Sequence, residues 1–154
     1  MSNTPAQTIS PTDRLLAIED IKATCSRYAL GLDTFDMELL LSAFAEDIIF
    51  DASPFGLGTF EGHDALRGFF QHNFEVMKSQ MHLFANFIVD VDGPDTATGT
   101  NYLLEEGYSN EGALIRCLCR DEDRYIRTDA GWRIVGRVIH PLVEPKLEGY
   151  QEGL

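Results

Sequence analysis

Met81-His82-Leu83-Phe84-Ala85-Asn86-Phe87-Ile88-Val89 is the most hydrophobic strand-like run of the chain, and alternation leaves neither face of it polar. His82, Phe84, Asn86 and Ile88 fall on one side, and Leu83, Ala85, Phe87 and Val89 on the other. Such a strand is buried twice over. One face is expected to line an interior under helices, and the other to be covered by a second copy of the chain, since an exposed apolar sheet is an association surface. His82, at the head of the run, is an imidazole placed where core is expected.

Working outward, four strands are expected at about 82–92, 96–108, 112–128 and 131–140, separated by Asp92-Gly93-Pro94-Asp95, Ser109-Asn110-Glu111-Gly112 and Asp129-Ala130-Gly131. Such short turns make an antiparallel meander. In the third strand the odd positions Ala113, Ile115, Cys117, Cys119, Asp121, Asp123 and Tyr125 are expected to face in, which drives Asp121 toward the interior. In the last strand Trp132, Ile134, Gly136, Val138 and His140 share one face, with Arg133 and Arg137 on the other.

The first half of the chain reads as helical. Ser10 caps a helix with Pro11 in its first turn, running to about Gly31. Its stripe is Leu15, Ile18, Ile21, Cys25, Tyr28 and Leu32, and Asp33 stands at its end. Asp36 caps a shorter helix carrying Leu39, Leu40, Ala43 and Phe44. A short strand at 48–52 and a loop at 53–58, a plausible pocket lip, precede a third helix with Leu66, Phe69, Phe70, Phe74 and Met77 inside. Three helices followed mostly by a curled sheet define an α+β layout.

Length and charge narrow the function. At 154 residues the chain fits one domain, 10–154, behind a tail of residues 1–9 expected to be disordered. The net charge of −13 argues against nucleic acid and anionic membrane surfaces. No stretch reaches the roughly 20 apolar residues of a membrane span, so a cytoplasmic protein is expected. Cys25, Cys117 and Cys119 are odd in number and read as packed thiols; a Cys117, Cys119 and Asp121 metal cluster lacks a completing histidine. No phosphate-cradling glycine loop is evident, so no cofactor and no metal are expected.

Asp33 and His82 are the leading catalytic candidates, because a carboxylate and an imidazole embedded in apolar surroundings can orient and tune one another for proton transfer. Asp121 is a third, either a catalytic acid kept protonated by burial or a structural carboxylate bonded to Tyr28, Tyr102 or His140. Tyr28, Phe50, Phe55, Phe84, Asn86, Tyr102, Cys119, Trp132 and His140 are the candidate pocket lining, suited to a small hydrophobic cyclic molecule. His63 is expected to start the third helix, and His72 to lie on a solvated helix face.

The order of elements, with Tyr28-Ala-Leu-Gly-Leu-Asp33-Thr-Phe-Asp36, Phe44-Ala-Glu-Asp47, Gly62-His63-Asp64-Ala65-Leu66, 82–93 and Gly131-Trp132-Arg133-Ile134, resembles the SnoaL-like polyketide cyclase family of the nuclear transport factor 2-like superfamily. The resemblance covers most of 12–140. It implies a cone-shaped curved antiparallel or mixed sheet whose helices close an apolar pocket. Scytalone dehydratase and hexachlorocyclohexane dehydrochlorinase, in that superfamily, pair an aspartate at the end of the first helix with a histidine on the strand after the third, which match Asp33 and His82. The tyrosine before that aspartate is Leu32 here, and the later-strand asparagine falls on Asp121. The Arg-and-two-Asp arrangement of limonene epoxide hydrolase is not evident, because Arg120 alternates away from Asp121. The resemblance implies a cofactor-free dehydratase, isomerase or cyclase; the alternative in the same superfamily is a ligand-binding module or a structural subunit like the β subunits of ring-hydroxylating dioxygenases.

Overall fold

The computed structural model describes residues 9–150, so all but Ile9 of the expected tail lies outside the described residues. Helix α1 (Pro11–Asp33) starts as its sequence dictates, with the Ser10 hydroxyl accepting from the Asp13 N–H at 3.1 Å and Pro11 in the first turn. Helix α2 (Met37–Leu41) is capped by Asp36, which accepts from the Leu39 N–H at 3.0 Å. Strand β1 (Phe44–Asp51), a 3-10 turn (Ser53–Phe55) and strand β2 (Thr59–Glu61) lead into helix α3 (Gly62–Val76). Strands β3 (Met77–Val91), β4 (Thr96–Ser109), β5 (Leu114–Thr128) and β6 (Gly131–Pro141) complete the chain.

The sheet order is β2-β1-β6-β5-β4-β3, antiparallel except where β1 runs parallel to β6. The expected meander is therefore present, with β1 and β2 added at its closing edge. Helices α1 and α3 cover one face. Their buried residues, among them Ile21, Tyr28, Leu32, Leu66, Phe69 and Phe70, meet Phe44, Ile48, Phe50, Cys117, Cys119, Tyr125 and Ile134 from the sheet. Each fully buried large apolar side chain contributes about 1.5–3 kcal/mol. Leu15, expected in the stripe of α1, is instead exposed, and Ala17 and Thr24 are buried. The helix turns those smaller residues toward β6, where the Thr24 hydroxyl donates to the Trp132 carbonyl at 2.9 Å.

Two irregularities in the strands revise the sequence expectation. In β3 one extra residue is inserted between the pairs Ala85–Tyr102 and Ile88–Thr100. Asn86 takes φ +53° there, a conformation asparagine tolerates better than most residues. The bulge flips parity, so Phe87 is half-buried while Asn86 and Ile88 face outward. In β6 an extra residue stands between Ile134 and Gly136. Arg137 therefore points inward, directly opposite Asp123, and Val138 and His140 point outward. Gly136 suits this turn of the backbone because the Arg124 guanidinium lies 2.6 Å from where a Cβ would stand.

Strand β3 also begins at Met77, so His82 sits inside the strand rather than at its head. Among the described residues no helix is long and apolar enough to cross a membrane.

Candidate active site

Asp33 is the last residue of α1, where a carboxylate faces the negative end of the helix dipole and is electrostatically unfavourable without a donor. Two donors from β3 meet it: the His82 ring nitrogen Nδ1 lies 2.8 Å from Oδ1, and the His82 backbone N–H donates to Oδ2 at 3.2 Å. The Gln80 amide, two residues back on the same face of β3, donates to the Leu32 carbonyl at 2.7 Å. Alternate residues of β3 thus bind the end of α1 and hold the imidazole in place. Gly31 permits the adjoining turn, because a Cβ there would stand 2.5 Å from the Leu40 backbone nitrogen of α2.

The His82 side chain is 3% exposed and that of Asp33 24% exposed. With Nδ1 bound to Asp33, the second nitrogen, Nε2, is on the cavity side, 3.7 Å from Glu105 Oε2. Tyr28 presents its ring edge-on to the imidazole, with centroids 6.2 Å apart.

The cavity that His82 borders is about 50 Å³, room for a few waters. Its wall is apolar: Leu32, Phe50, Phe69, Phe70, Leu103 and Ile139 from helices and strands, with Phe55, Leu57 and Leu147 from the connecting segments. Its polar groups are few, His82, Glu105, Asn73, Tyr28 and Tyr150, beside the thiols of Cys117 and Cys119. Burial pushes both thiols and both tyrosine hydroxyls well above their usual ranges, so these groups stay protonated. The Asn73 amide donates to the Tyr150 hydroxyl at 3.2 Å, and the Tyr150 carbonyl is bound by His72 Nε2 at 2.8 Å. His72 is therefore a tether for the C-terminal segment rather than a solvated group, and His63 contacts the Phe44 carbonyl at 3.2 Å.

Asp121 is fully buried but lies behind the cavity wall. It belongs to a cluster organised by Arg137, whose side chain is fully buried. Arg137 donates twice to Asp123, at 2.7 Å each, and Asp123 also accepts from the Tyr125 hydroxyl at 2.6 Å and the Asn101 amide at 3.0 Å. The guanidinium lies 5.1 Å from the ring centroids of both Tyr28 and Phe84. Asp121 approaches Arg137 Nη1 at 3.3 Å without a hydrogen bond, and both its oxygens are buried and unpartnered. One cation thus faces two carboxylates. Burial pushes Asp121 up to about 7, with the charge of Asp123 adding and Arg137 and His82 opposing. An arginine with two aspartates is present after all, but the arginine is Arg137, and Asp121 bonds none of Tyr28, Tyr102 or His140.

Of the expected pocket residues, Tyr28, Phe50, Phe55 and Cys119 line the cavity. Phe84 packs behind it on Tyr28 and Arg137. Asn86, Tyr102, Trp132 and His140 do not reach it. The β3 bulge turns Asn86 out, Tyr102 has even parity in β4 and faces outward, and the β6 bulge places His140 3.5 Å from Glu122 on the outer face. Trp132 is buried at the far end against α1. Glu105, Asn73 and Tyr150 were not anticipated. The parity of β4 carries the signal for Glu105, which shares the inward face with Asn101 and Leu103. Among the described residues no group of three or more His, Cys, Asp or Glu could hold a metal ion.

Several solved structures share this architecture. A candidate aromatic ring hydroxylase from Novosphingobium aromaticivorans is 30% identical, with a TM-score of 0.80 over 93% of this chain and 99% of that one. A candidate scytalone dehydratase from the same organism has a TM-score of 0.81 at 18% identity, over 87% and 89% of the two chains. A type 2 hexachlorocyclohexane dehydrochlorinase, LinA, has a TM-score of 0.79 at 20% identity, over 88% and 93%. The last two show the fold alone, the cone-like arrangement of three helices on a mixed six-stranded sheet. No curated protein matches this chain in sequence. The model of the SnoaL-like domain matches residues 13–138, and the chain belongs to that family, within the nuclear transport factor 2-like superfamily.

Proposed function

We propose that the protein is a cytoplasmic, cofactor-free lyase or isomerase that removes a proton from carbon next to a carbonyl in a small hydrophobic cyclic substrate. The observation that carries this reading is the Asp33–His82 pair, 2.8 Å apart, with the other imidazole nitrogen on the wall of an apolar cavity. Asp33 keeps the Nδ1 proton in place and stabilises the imidazolium that forms when Nε2 takes up the substrate proton. The Tyr150 hydroxyl, already accepting from Asn73, has its own proton to offer a developing enolate oxygen. The names of the neighbours, a dehydratase, a dehydrochlorinase and an aromatic ring hydroxylase, agree with a ring substrate and, for the first two, with elimination.

A ring compound exceeds the present cavity, so binding must push back part of the wall. Phe55, Leu57, Leu147 and Tyr150 lie outside the six strands and three α-helices, and they are the residues that give way. The exposed outer face, with Met81, Leu83, Tyr102, Tyr108 and Leu142, is the surface on which a second copy of the chain would pair.

The test is a thermal-shift screen of cyclic ketones and hydroxyketones, since a ligand of the folded state raises its stability by mass action. The best binder is then followed by NMR in deuterated water for exchange of the protons next to the carbonyl. Asp33→Asn and His82→Gln are each expected to slow exchange by about 100-fold, the lower range for general base catalysis. Unchanged exchange in both variants overturns the reading. Tight binding without exchange or turnover assigns the protein to the non-catalytic ligand-binding class instead.

A further inference from the structure

We infer that Phe35 is a positioning residue for the Asp33–His82 pair: its ring ties the end of α1 to α3 and so fixes where the Asp33 carboxylate meets the imidazole. The inference rests on the proton-abstraction reading above and adds to it what holds the pair in register.

The turn that ends α1 is bonded as a Schellman motif. The Asp36 N–H donates back to the Gly31 carbonyl at 2.8 Å and the Phe35 N–H to the Leu32 carbonyl at 3.1 Å, which closes the helix directly after Asp33 and Thr34. Such a turn needs one residue in the left-handed region, and that residue is Phe35, at φ +56°. Among the described residues Asn86 is the one other non-glycine residue with positive φ, and asparagine is a type that tolerates it. A bulky side chain is strained there, because its Cβ crowds the following carbonyl oxygen. Glycine would make the same turn, with the same backbone bonds, free of that strain. What phenylalanine adds is its ring.

That ring is not placed for burial, since Phe35 is 36% exposed. It meets Phe74 of α3 edge-on, with centroids 5.3 Å apart and planes at 69°. Phe74 follows Asn73, whose amide donates to the Tyr150 hydroxyl at the cavity, and Leu32, three residues before Phe35, lines the same cavity. The Phe35–Phe74 contact therefore links the two helices that supply Leu32 and Asn73 to the wall. Strand β3 grips the end of α1 through Gln80 and through His82 itself. The grip from α3 locates the Asp33 carboxylate without help from the imidazole it orients, which is what a preorganised pair requires. Backbone strain kept two residues from Asp33, and held there by a side-chain contact, is strain that serves pre-organisation.

The experiment compares Phe35→Gly, which keeps the turn and removes the ring, with Phe35→Tyr, which keeps the ring. Three quantities are read on the full chain: Tm, the two ring-nitrogen chemical shifts of His82, and the rate of proton exchange on the cyclic ketone selected by the screen above. The nitrogen shifts stand apart when one tautomer is held and converge when two interconvert. In Phe35→Gly, relief of the backbone offsets the lost contact and the added freedom of the unfolded chain, so Tm is expected within about 4 °C of the unsubstituted protein. The nitrogen shifts are expected to converge, and exchange to slow by about 10-fold with KM little changed, since a misplacement of about 1 Å costs up to about 100-fold. Phe35→Tyr is expected to restore all three. Unchanged nitrogen shifts in Phe35→Gly overturn the inference and leave Asp33 and His82 as the reacting pair. A larger fall in Tm together with converged shifts also overturns it, because the ring then holds the fold rather than the pair. Converged shifts in the unsubstituted protein overturn both readings. Absence of exchange in the unsubstituted protein overturns proton abstraction, and the nitrogen shifts then decide the role of Phe35 alone. Should Phe35→Gly fail to fold, Phe74→Leu removes the ring contact from the α3 side; the same convergence is expected, and its absence refutes the assignment.

Discussion

Replacing Asp121 by asparagine should make the protein more stable at alkaline pH than at acid pH, relative to the unsubstituted chain. Burial raises Asp121 from an ordinary value near 3.8 to about 7, so folding disfavours its ionised form. For a group raised in this way, the contribution to stability is fully present below the unfolded value and is lost as pH climbs through the folded one. At 1.36 kcal/mol per pH unit the full loss is about 4 kcal/mol, of which roughly 3 kcal/mol is incurred between about pH 5 and about pH 8. Asparagine cannot ionise, so Asp121→Asn removes this dependence. Urea unfolding of both proteins at the two pH values measures it. The stability of the variant minus that of the unsubstituted protein is expected to increase by roughly 3 kcal/mol from the lower to the higher pH, which for a chain of this size is about 6–12 °C in Tm. A difference that is the same at both pH values, or that moves the other way, refutes the view that Arg137 neutralises only one of its two carboxylates.

Arg137→Met leaves Asp123 without the cation that donates to both its oxygens, and should cost about 3–5 kcal/mol in a denaturation measurement at neutral pH. Gly31→Ala drives a methyl group into the Leu40 backbone of α2, with an expected cost of about 1–3 kcal/mol and displacement of Asp33 from His82, read by chemical unfolding and by loss of the His82 ring resonance pattern. Light scattering should report a dimer for the unsubstituted chain, and Leu83→Lys, on the exposed apolar face of β3, should give a monomer whose Tm is lower and no longer rises with protein concentration; a monomer before substitution contradicts the pairing of that face.

How far the sequence could be read depended on where strands stay regular. In β5 the alternation runs unbroken, so Cys117, Cys119, Asp121, Asp123 and Tyr125 were all placed correctly on the inward face. In β3 from His82 onward, and in β6, a single inserted residue reverses parity partway along. Everything before the bulge follows the sequence pattern, and everything after it is inverted: Asn86 turns out, and Arg137 turns in. Nothing in a two-residue period signals such an insertion, although Asn86 and Gly136 are residue types that bulges favour. Asp33 and His82 stood out singly because each is a polar residue at the edge of an apolar stripe; that the two meet is what the resemblance implied, and no local pattern encodes it. Glu105 was missed for the opposite reason: next to Glu106 it reads as part of a solvated charge pair, and only strand parity separates the two. Tyr150 and Asn73 meet through a contact between α3 and the C-terminal segment that no local pattern encodes.

The proposed catalysis requires Asp33 to hold the His82 proton on Nδ1 and to leave Nε2 bare toward the cavity. Long-range proton–nitrogen NMR correlations of the His82 ring in its neutral form measure this directly. The Nδ1–H tautomer is expected in the unsubstituted protein and its loss in Asp33→Asn; an Nε2–H tautomer in the unsubstituted protein would rule out His82 as the base, because the nitrogen that must accept the substrate proton would already carry one.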